Sequence, residues 1–85
     1  MKNYKECSDT EFAEAMDKMH RVEIGNIKPE TLSTNQLYIM YTKMRADSQH
    51  LSGVGSSYAM GLRIATQKIV DTLAAELIRR KVIPG

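Results

Sequence analysis

Two aromatic residues and two cations lie close together near the middle of the chain: Tyr38, Tyr41, Lys43 and Arg45. On a helix they occupy adjacent turns, where rings can stack on a nucleotide base while cations pair with phosphate. Tyrosines at this spacing also serve as core or interface residues whose hydroxyl groups stay in water. The sequence leaves both interpretations open. Lys28, which precedes a proline on a rigid connector, can add a cation to this set or to the glycine-rich segment described next.

A glycine-rich segment, Gly53–Ser57, is the second candidate for chemistry. Backbone amides at the start of a helix, together with the hydroxyl groups of Ser56 and Ser57, can bind a phosphate. The segment lacks the lysine of a Walker motif and the preceding strand of a dinucleotide-binding fingerprint. A turn between two helices with a serine cap explains the same residues equally well.

Catalytic chemistry has little support in the sequence. Cys7 is the single cysteine, and nothing places His20 or His50 beside it as a general base. Each histidine lies near the C-terminal end of a predicted helix, where the helix dipole stabilises an imidazolium. One cysteine and two distant histidines also suggest no metal cage. We therefore expect a non-enzymatic protein without a metal or cofactor.

Three helices position these residues, and the pattern predicts them over about 9–23, 34–51 and 57–82. Ser8 and Glu11 have the spacing of a capping box, and Gly25 supplies a left-handed exit from the first helix. Ser33 and Gln36 repeat the capping-box spacing at the second helix. Apolar residues then recur along the second helix at helical spacing: Leu37, Met40, Tyr41, Met44 and Leu51.

The fold class predicted for this single domain, residues 1–85, is all-α: a short N-terminal helix followed by a long antiparallel helical hairpin. The third helix carries one apolar stripe with further apolar residues beside it, a surface wider than one antiparallel partner can cover. A chain of this size also buries little of its surface alone. We therefore expect a homo-oligomer. The stripe consists of Tyr58, Leu62, Ala65, Ile69, Leu73 and Leu77.

Charge and hydropathy exclude several classes of protein. Twelve basic and ten acidic residues leave a net charge of +2, too small to indicate nucleic-acid binding by itself. The start of the third helix, Tyr58–Leu62, offers almost no side chains for base edges, so we expect no specific DNA binding. No apolar run approaches the roughly 18 residues of a membrane span, and the first ten residues are polar. These features predict a cytoplasmic protein without membrane contact.

The layout resembles the phage anti-CBASS proteins that act as cyclic-nucleotide sponges. The similarity covers residues 27–84 and lies in Thr31–Ser33 opening the second helix, in Leu37–Lys43, and in Leu77–Arg79 before a proline. The resemblance implies hexamers that capture cyclic di- or trinucleotides between subunits, with an aromatic ring stacking on a base and a lysine reaching phosphate. Lys43 matches that lysine. Tyr4, Tyr38 or Tyr41 would replace the family's aromatic residue, and the family's tryptophan is absent.

The leading hypothesis is a non-enzymatic, oligomeric sponge for cyclic di- or oligonucleotide immune signals, acting in the host cytoplasm. Its candidate ligand-binding residues are Lys28, Tyr38, Tyr41, Lys43, Ser56 and Ser57. The alternative is a small helical phage-type inhibitor or regulator that binds a host protein through its apolar helical face. A phage structural or assembly helix bundle is a third hypothesis.

Overall fold

The computed structural model describes residues 1–85 and contains three α-helices and no strand. Helix α1 spans Asp9–Glu23, α2 spans Thr34–Leu51 and α3 spans Ser57–Arg79, and one turn of 3-10 helix, Pro29–Thr31, precedes α2. The predicted all-helical class is confirmed. None of the three helices combines the length and hydrophobicity that a membrane span requires.

Local hydrogen bonds fix both ends of α1 where the sequence predicts them. The Ser8 hydroxyl accepts from the Glu11 N–H at 3.1 Å, and the Glu11 carboxylate accepts from the Ser8 N–H at 3.0 Å. At the other end Gly25 has φ +82°, which glycine adopts without steric cost. The N–H of Asn26 then donates to the Arg21 carbonyl at 2.9 Å, which closes a Schellman motif.

The start of α2 forms only half of the predicted capping box. The Ser33 hydroxyl accepts from the Gln36 N–H at 3.2 Å, but the Gln36 side chain returns no bond to the backbone of Ser33. Instead, the Gln36 side chain lines a shallow depression beside Glu11 and Glu14 of α1.

Helix α3 ends at Arg79, before the predicted end at residue 82. Lys81 adopts φ +61°, and the N–H of Val82 donates to the Leu77 carbonyl at 2.9 Å, as in a Schellman motif. The residue at this left-handed position is not a glycine, so the sequence did not indicate that α3 ends here. Beyond it, Val82 and Ile83 fold back against the hydrophobic core.

The core lies mainly between α2 and α3, and two side-chain hydrogen bonds define how these helices run. Ser48, late in α2, donates to Gln67, in the middle of α3, at 2.9 Å. Arg80, just after α3, donates to the hydroxyl of Thr34 at 3.0 Å. The start of α2 therefore lies near the end of α3, and late α2 lies near the middle of α3. Their largest fully buried side chains are Leu37, Ile39, Met40, Leu73 and Leu77.

Helix α1 crosses the helical pair at one end and leaves the other end uncovered. Its first turns lie beside the start of α2, and its last residues, Val22 and Glu23, lie beside Ile69 of α3. The first half of α3 therefore packs against α2 alone. Tyr58 and Leu62 begin the predicted apolar stripe, yet they are 78% and 40% exposed.

Candidate functional site

Two lysines approach one aromatic ring near the N-terminus. The ammonium group of Lys43, in the middle of α2, lies 5.7 Å from the centroid of the Tyr4 ring. The ammonium group of Lys5 lies 5.9 Å from the same centroid. Both distances are within the range of a cation–π interaction. The Tyr4 ring therefore lies close to two positive charges, although Tyr4 and Lys43 are far apart in the sequence.

Backbone contacts hold the first seven residues against α2. The N–H of Tyr4 donates to the Thr42 hydroxyl at 3.2 Å, and the N–H of Lys2 donates to the Asn35 side chain at 3.2 Å. The Asn3 side chain accepts from the N–H of Lys5 at 2.8 Å, as in an Asx turn. These bonds orient the half-buried ring of Tyr4 toward Lys43.

Lys43 also forms an ion pair within its own helix. Its ammonium group lies 2.8 Å from the carboxylate of Asp47, one turn later. The side chains of Lys43 and Asp47 are 30% and 39% exposed, so water reaches both groups. A partly solvated pair of this kind contributes at most about 1 kcal/mol. An anionic ligand can therefore exchange with Asp47 at Lys43 at small cost.

The other two candidate tyrosines lie on a different side of α2. At 100° per residue, Lys43 is about 140° around the helix from Tyr38 and about 160° from Tyr41. Both tyrosines are half-buried and pack against the core. Arg45 donates to the Tyr41 hydroxyl at 3.5 Å, so this side has its own pairing of ring and cation. One copy of the chain does not bring Tyr38 and Tyr41 to Lys43.

The remaining candidates lie at opposite ends of the helical pair. Lys28 is exposed beside the 3-10 turn, whose Glu30 carbonyl accepts from Arg80 at the end of α3. Ser56 and Ser57 lie at the other end of α3, at its beginning. The helix has 23 residues and is therefore about 34 Å long. The Ser56 hydroxyl accepts from the N–H of Ala59 at 3.0 Å, which is the predicted helix cap.

Arg79 and Arg80, at the end of α3, form ion pairs within the fold. Glu76 is buried and accepts from Arg79 Nε at 2.8 Å and from Arg80 Nε at 2.6 Å. The hydrogen bonds from Arg79, and then those from Arg80, lower the pKa of Glu76 to about 2. The same carboxylate raises the pKa of Arg79 through its hydrogen bond. This cluster anchors the end of α3 to the start of α2.

We call Tyr4, Lys5, Lys43 and Asp47 the Tyr4 cluster. The sequence analysis missed two of its members, Lys5 and Asp47. The spacing of Asp47, four residues after Lys43, was a signal for their ion pair. Lys5 carried no signal except its position next to Tyr4. The thiol of Cys7 contacts the Tyr4 carbonyl at 3.5 Å, at the edge of the same cluster. No group of three or more His, Cys, Asp and Glu side chains is placed to hold a metal ion.

Comparison with known proteins adds no relative: no family model, curated protein or solved structure matches the chain.

Proposed function

We propose that this chain is a non-enzymatic binding protein that sequesters a small anionic nucleotide of the cyclic di- or trinucleotide class. In this proposal it acts in the host cytoplasm as a phage anti-defence sponge. The observation that carries the proposal is the Tyr4 ring, which has the ammonium groups of Lys5 and Lys43 within 6 Å of its centroid. A base stacks on the ring as the two ammonium groups turn away from it to pair with phosphate.

The energetics of this cluster favour a ligand that has both a flat ring and negative charge. Stacking of a base on an aromatic side chain contributes about 1–3 kcal/mol. Lys43 gives up a partly solvated ion pair with Asp47, which costs about 1 kcal/mol or less. Phosphate can in turn accept charge-assisted hydrogen bonds from Lys5 and Lys43 together. A neutral nucleoside gains only the stacking contribution and binds more weakly.

The oligomer belongs to the same proposal. The antiparallel hairpin of α2 and α3 is the assembling unit, and the exposed apolar residues in the first half of α3 are buried between copies. The resemblance to anti-CBASS sponges suggests a hexamer. Candidate residues remote from Lys43 then contribute from a neighbouring copy, across an intersubunit pocket. They are Lys28, Tyr38, Tyr41, Ser56 and Ser57.

Calorimetry of the purified protein against cyclic di- and trinucleotides tests this function. We expect Lys43→Ala to weaken binding at least about tenfold, since it removes a charge-assisted contact to phosphate. Lys18→Ala, which removes a lysine from α1 outside the cluster, is the matched control and leaves binding unchanged. Absence of binding heat with every nucleotide, at tens of micromolar protein, contradicts the proposal.

A second candidate function is inhibition or regulation of a host protein. Exposed apolar residues at the start of α3 favour this function, because a helix can bind in a groove of a partner protein through such residues. They are Tyr58, Met60, Leu62 and Ile64. Material purified from host cells discriminates between the candidates. A co-purifying nucleotide that absorbs at 260 nm supports the sponge, whereas one stoichiometric protein partner supports the inhibitor.

A further inference from the structure

One side of α3 carries a regular row of six residues, of which five are exposed and one, Ala74, is half-buried. Successive members are alternately four and three residues apart, the spacing by which one helix packs along another. Its three largest apolar members are 59%, 52% and 40% exposed, for Met60, Ile64 and Ile78 respectively. We call this row the α3 seam; it consists of Met60, Ile64, Gln67, Asp71, Ala74 and Ile78.

We propose that the α3 seam binds a second copy of the chain, with the two α3 helices antiparallel about a two-fold axis between Gln67 and Asp71. Met60 and Ile78 are five helical turns apart, so both ends of the seam face the same direction. This interface rests on the oligomer of the proposed function and specifies its partner. It does not depend on nucleotide capture.

The order of apolar residues along the seam fits the antiparallel pairing. Met60 of one copy meets Ile78 of the second copy near each end of the interface. One turn further in, Ile64 meets Ala74, so a large side chain faces a small one. Such alternation lets two helices approach closely without leaving voids. Two identical apolar contacts therefore form on either side of the two-fold axis.

The polar residues at the centre are also self-complementary. Within one copy, Gln67 Nε2 donates to Asp71 Oδ1 at 2.9 Å, and Gln67 Oε1 accepts from Ser48. The second amide hydrogen of Gln67 and the second carboxylate oxygen of Asp71 are thus available to the other copy. In the antiparallel arrangement Gln67 of each copy faces Asp71 of the other, so a donor meets an acceptor twice.

The charged residues beside the seam also favour antiparallel pairing of the two α3 helices. Arg63 and Lys68 flank the seam and share a shallow depression with Asp71. Antiparallel pairing brings each Asp71 within about one turn of Arg63 and Lys68 of the second copy, where opposite charges attract. The two Lys68 side chains flank the axis, with both Asp71 carboxylates beside them. Parallel pairing in register would instead set Asp71 directly against Asp71.

Sedimentation equilibrium of the full chain, without nucleotide, tests the interface. We expect the wild-type chain to associate and Ile64→Glu to raise its dissociation constant at least about tenfold, since the variant buries a charge in the seam. Ala13→Glu alters an exposed residue of α1, outside the seam and outside the exposed half of α3, and leaves association unchanged. Circular dichroism checks that both variants stay helical. A folded wild-type monomer at the highest concentration, or association that is as strong in Ile64→Glu as in Ala13→Glu, overturns the proposal.

Disulfide trapping tests the direction of the helices. In a Cys7→Ser background, we mix the single variants Ile64→Cys and Ala74→Cys under mild oxidation. The proposed register predicts a mixed disulfide, because these positions face each other. Two Ile64→Cys positions lie about 15 Å apart in that register, too far for a disulfide. A 64–64 disulfide without the mixed product overturns it. Nucleotide is absent throughout, so failure here is distinct from failure of the sponge.

Discussion

Tyr4 is the residue on which the binding proposal depends most. Its ring receives Lys5 from its own turn and Lys43 from α2, at nearly equal distances of 5.9 and 5.7 Å. Tyr4 is half-buried, so part of its surface is accessible to a ligand. The contribution of a stacking residue comes from its aromatic surface and not from its hydroxyl group.

Substitution of Tyr4 separates these two contributions. We expect Tyr4→Ala to weaken nucleotide binding by about 1–3 kcal/mol, which is the value of base stacking on one aromatic side chain. Tyr4→Phe keeps the ring and retains affinity close to that of the wild type. Titration calorimetry of both variants measures the difference. Equal affinities for Tyr4→Ala and the wild type would remove Tyr4 from the site.

Lys81 gives a prediction for stability. It adopts φ +61° with a side chain that is exposed, a conformation that glycine adopts more readily. We expect Lys81→Gly to raise the free energy of unfolding by about 0.5–1 kcal/mol, measured by urea denaturation. Gly25→Ala, at the matching position after α1 where φ is +82°, lowers it by about 1 kcal/mol. Destabilisation by Lys81→Gly would contradict this account of the α3 end.

At the scale of elements, the Glu76 cluster fastens the end of α3 to the start of α2. Arg80 donates to Glu76, to the Thr34 hydroxyl at 3.0 Å and to the Glu30 carbonyl at 3.2 Å. One guanidinium group therefore connects α3, α2 and the 3-10 turn. The carboxylate keeps this arginine oriented, so its ionisation couples the packing of these elements to pH.

The pH dependence follows from the direction of the Glu76 shift. Hydrogen bonds from Arg79 and Arg80 lower its pKa from an ordinary value of 4.5 to about 2 in the folded chain. A lowered pKa stabilises the fold above the unfolded value, and that contribution is lost as pH falls from about 4.5 to about 2. We expect Glu76→Gln to be less stable than the wild type at pH 7 and to lose this difference toward pH 2. If urea denaturation gave the same stability difference between the wild type and Glu76→Gln across this pH range, the role of Glu76 would be contradicted.

Local signals in the sequence predicted most of the elements. Serine caps place the starts of α1, α2 and α3, and Gly25 places the end of α1. The end of α3 lay beyond such reasoning because Lys81 takes the left-handed conformation without being glycine. The approach of Tyr4 to Lys43 was also beyond it. That contact depends on where the first seven residues lie on α2. Their position is determined by hydrogen-bond acceptors on α2, such as the Thr42 hydroxyl.

At the scale of the whole molecule, the position of α1 determines which apolar residues remain exposed. Ile69 and Leu73 continue the stripe begun by Tyr58 and Leu62 but are less exposed, and the last residues of α1, Val22 and Glu23, lie beside Ile69. The sequence predicted a surplus of apolar surface on α3. It did not specify which half stays uncovered, because that depends on how α1 crosses the pair. Association of copies is the outcome we expect from this exposed half.

Nuclear magnetic resonance of the isotope-labelled chain, titrated with cyclic di- and trinucleotides, tests the central claim most directly. Amide shifts report binding and location together. We expect saturable shifts centred on residues 3–7 and 39–47, which need at least about tenfold more nucleotide for saturation in Lys43→Ala but not in Lys18→Ala. Unchanged spectra with every nucleotide, or shifts confined to the loop around Ser56, would contradict capture of a nucleotide at the Tyr4 ring.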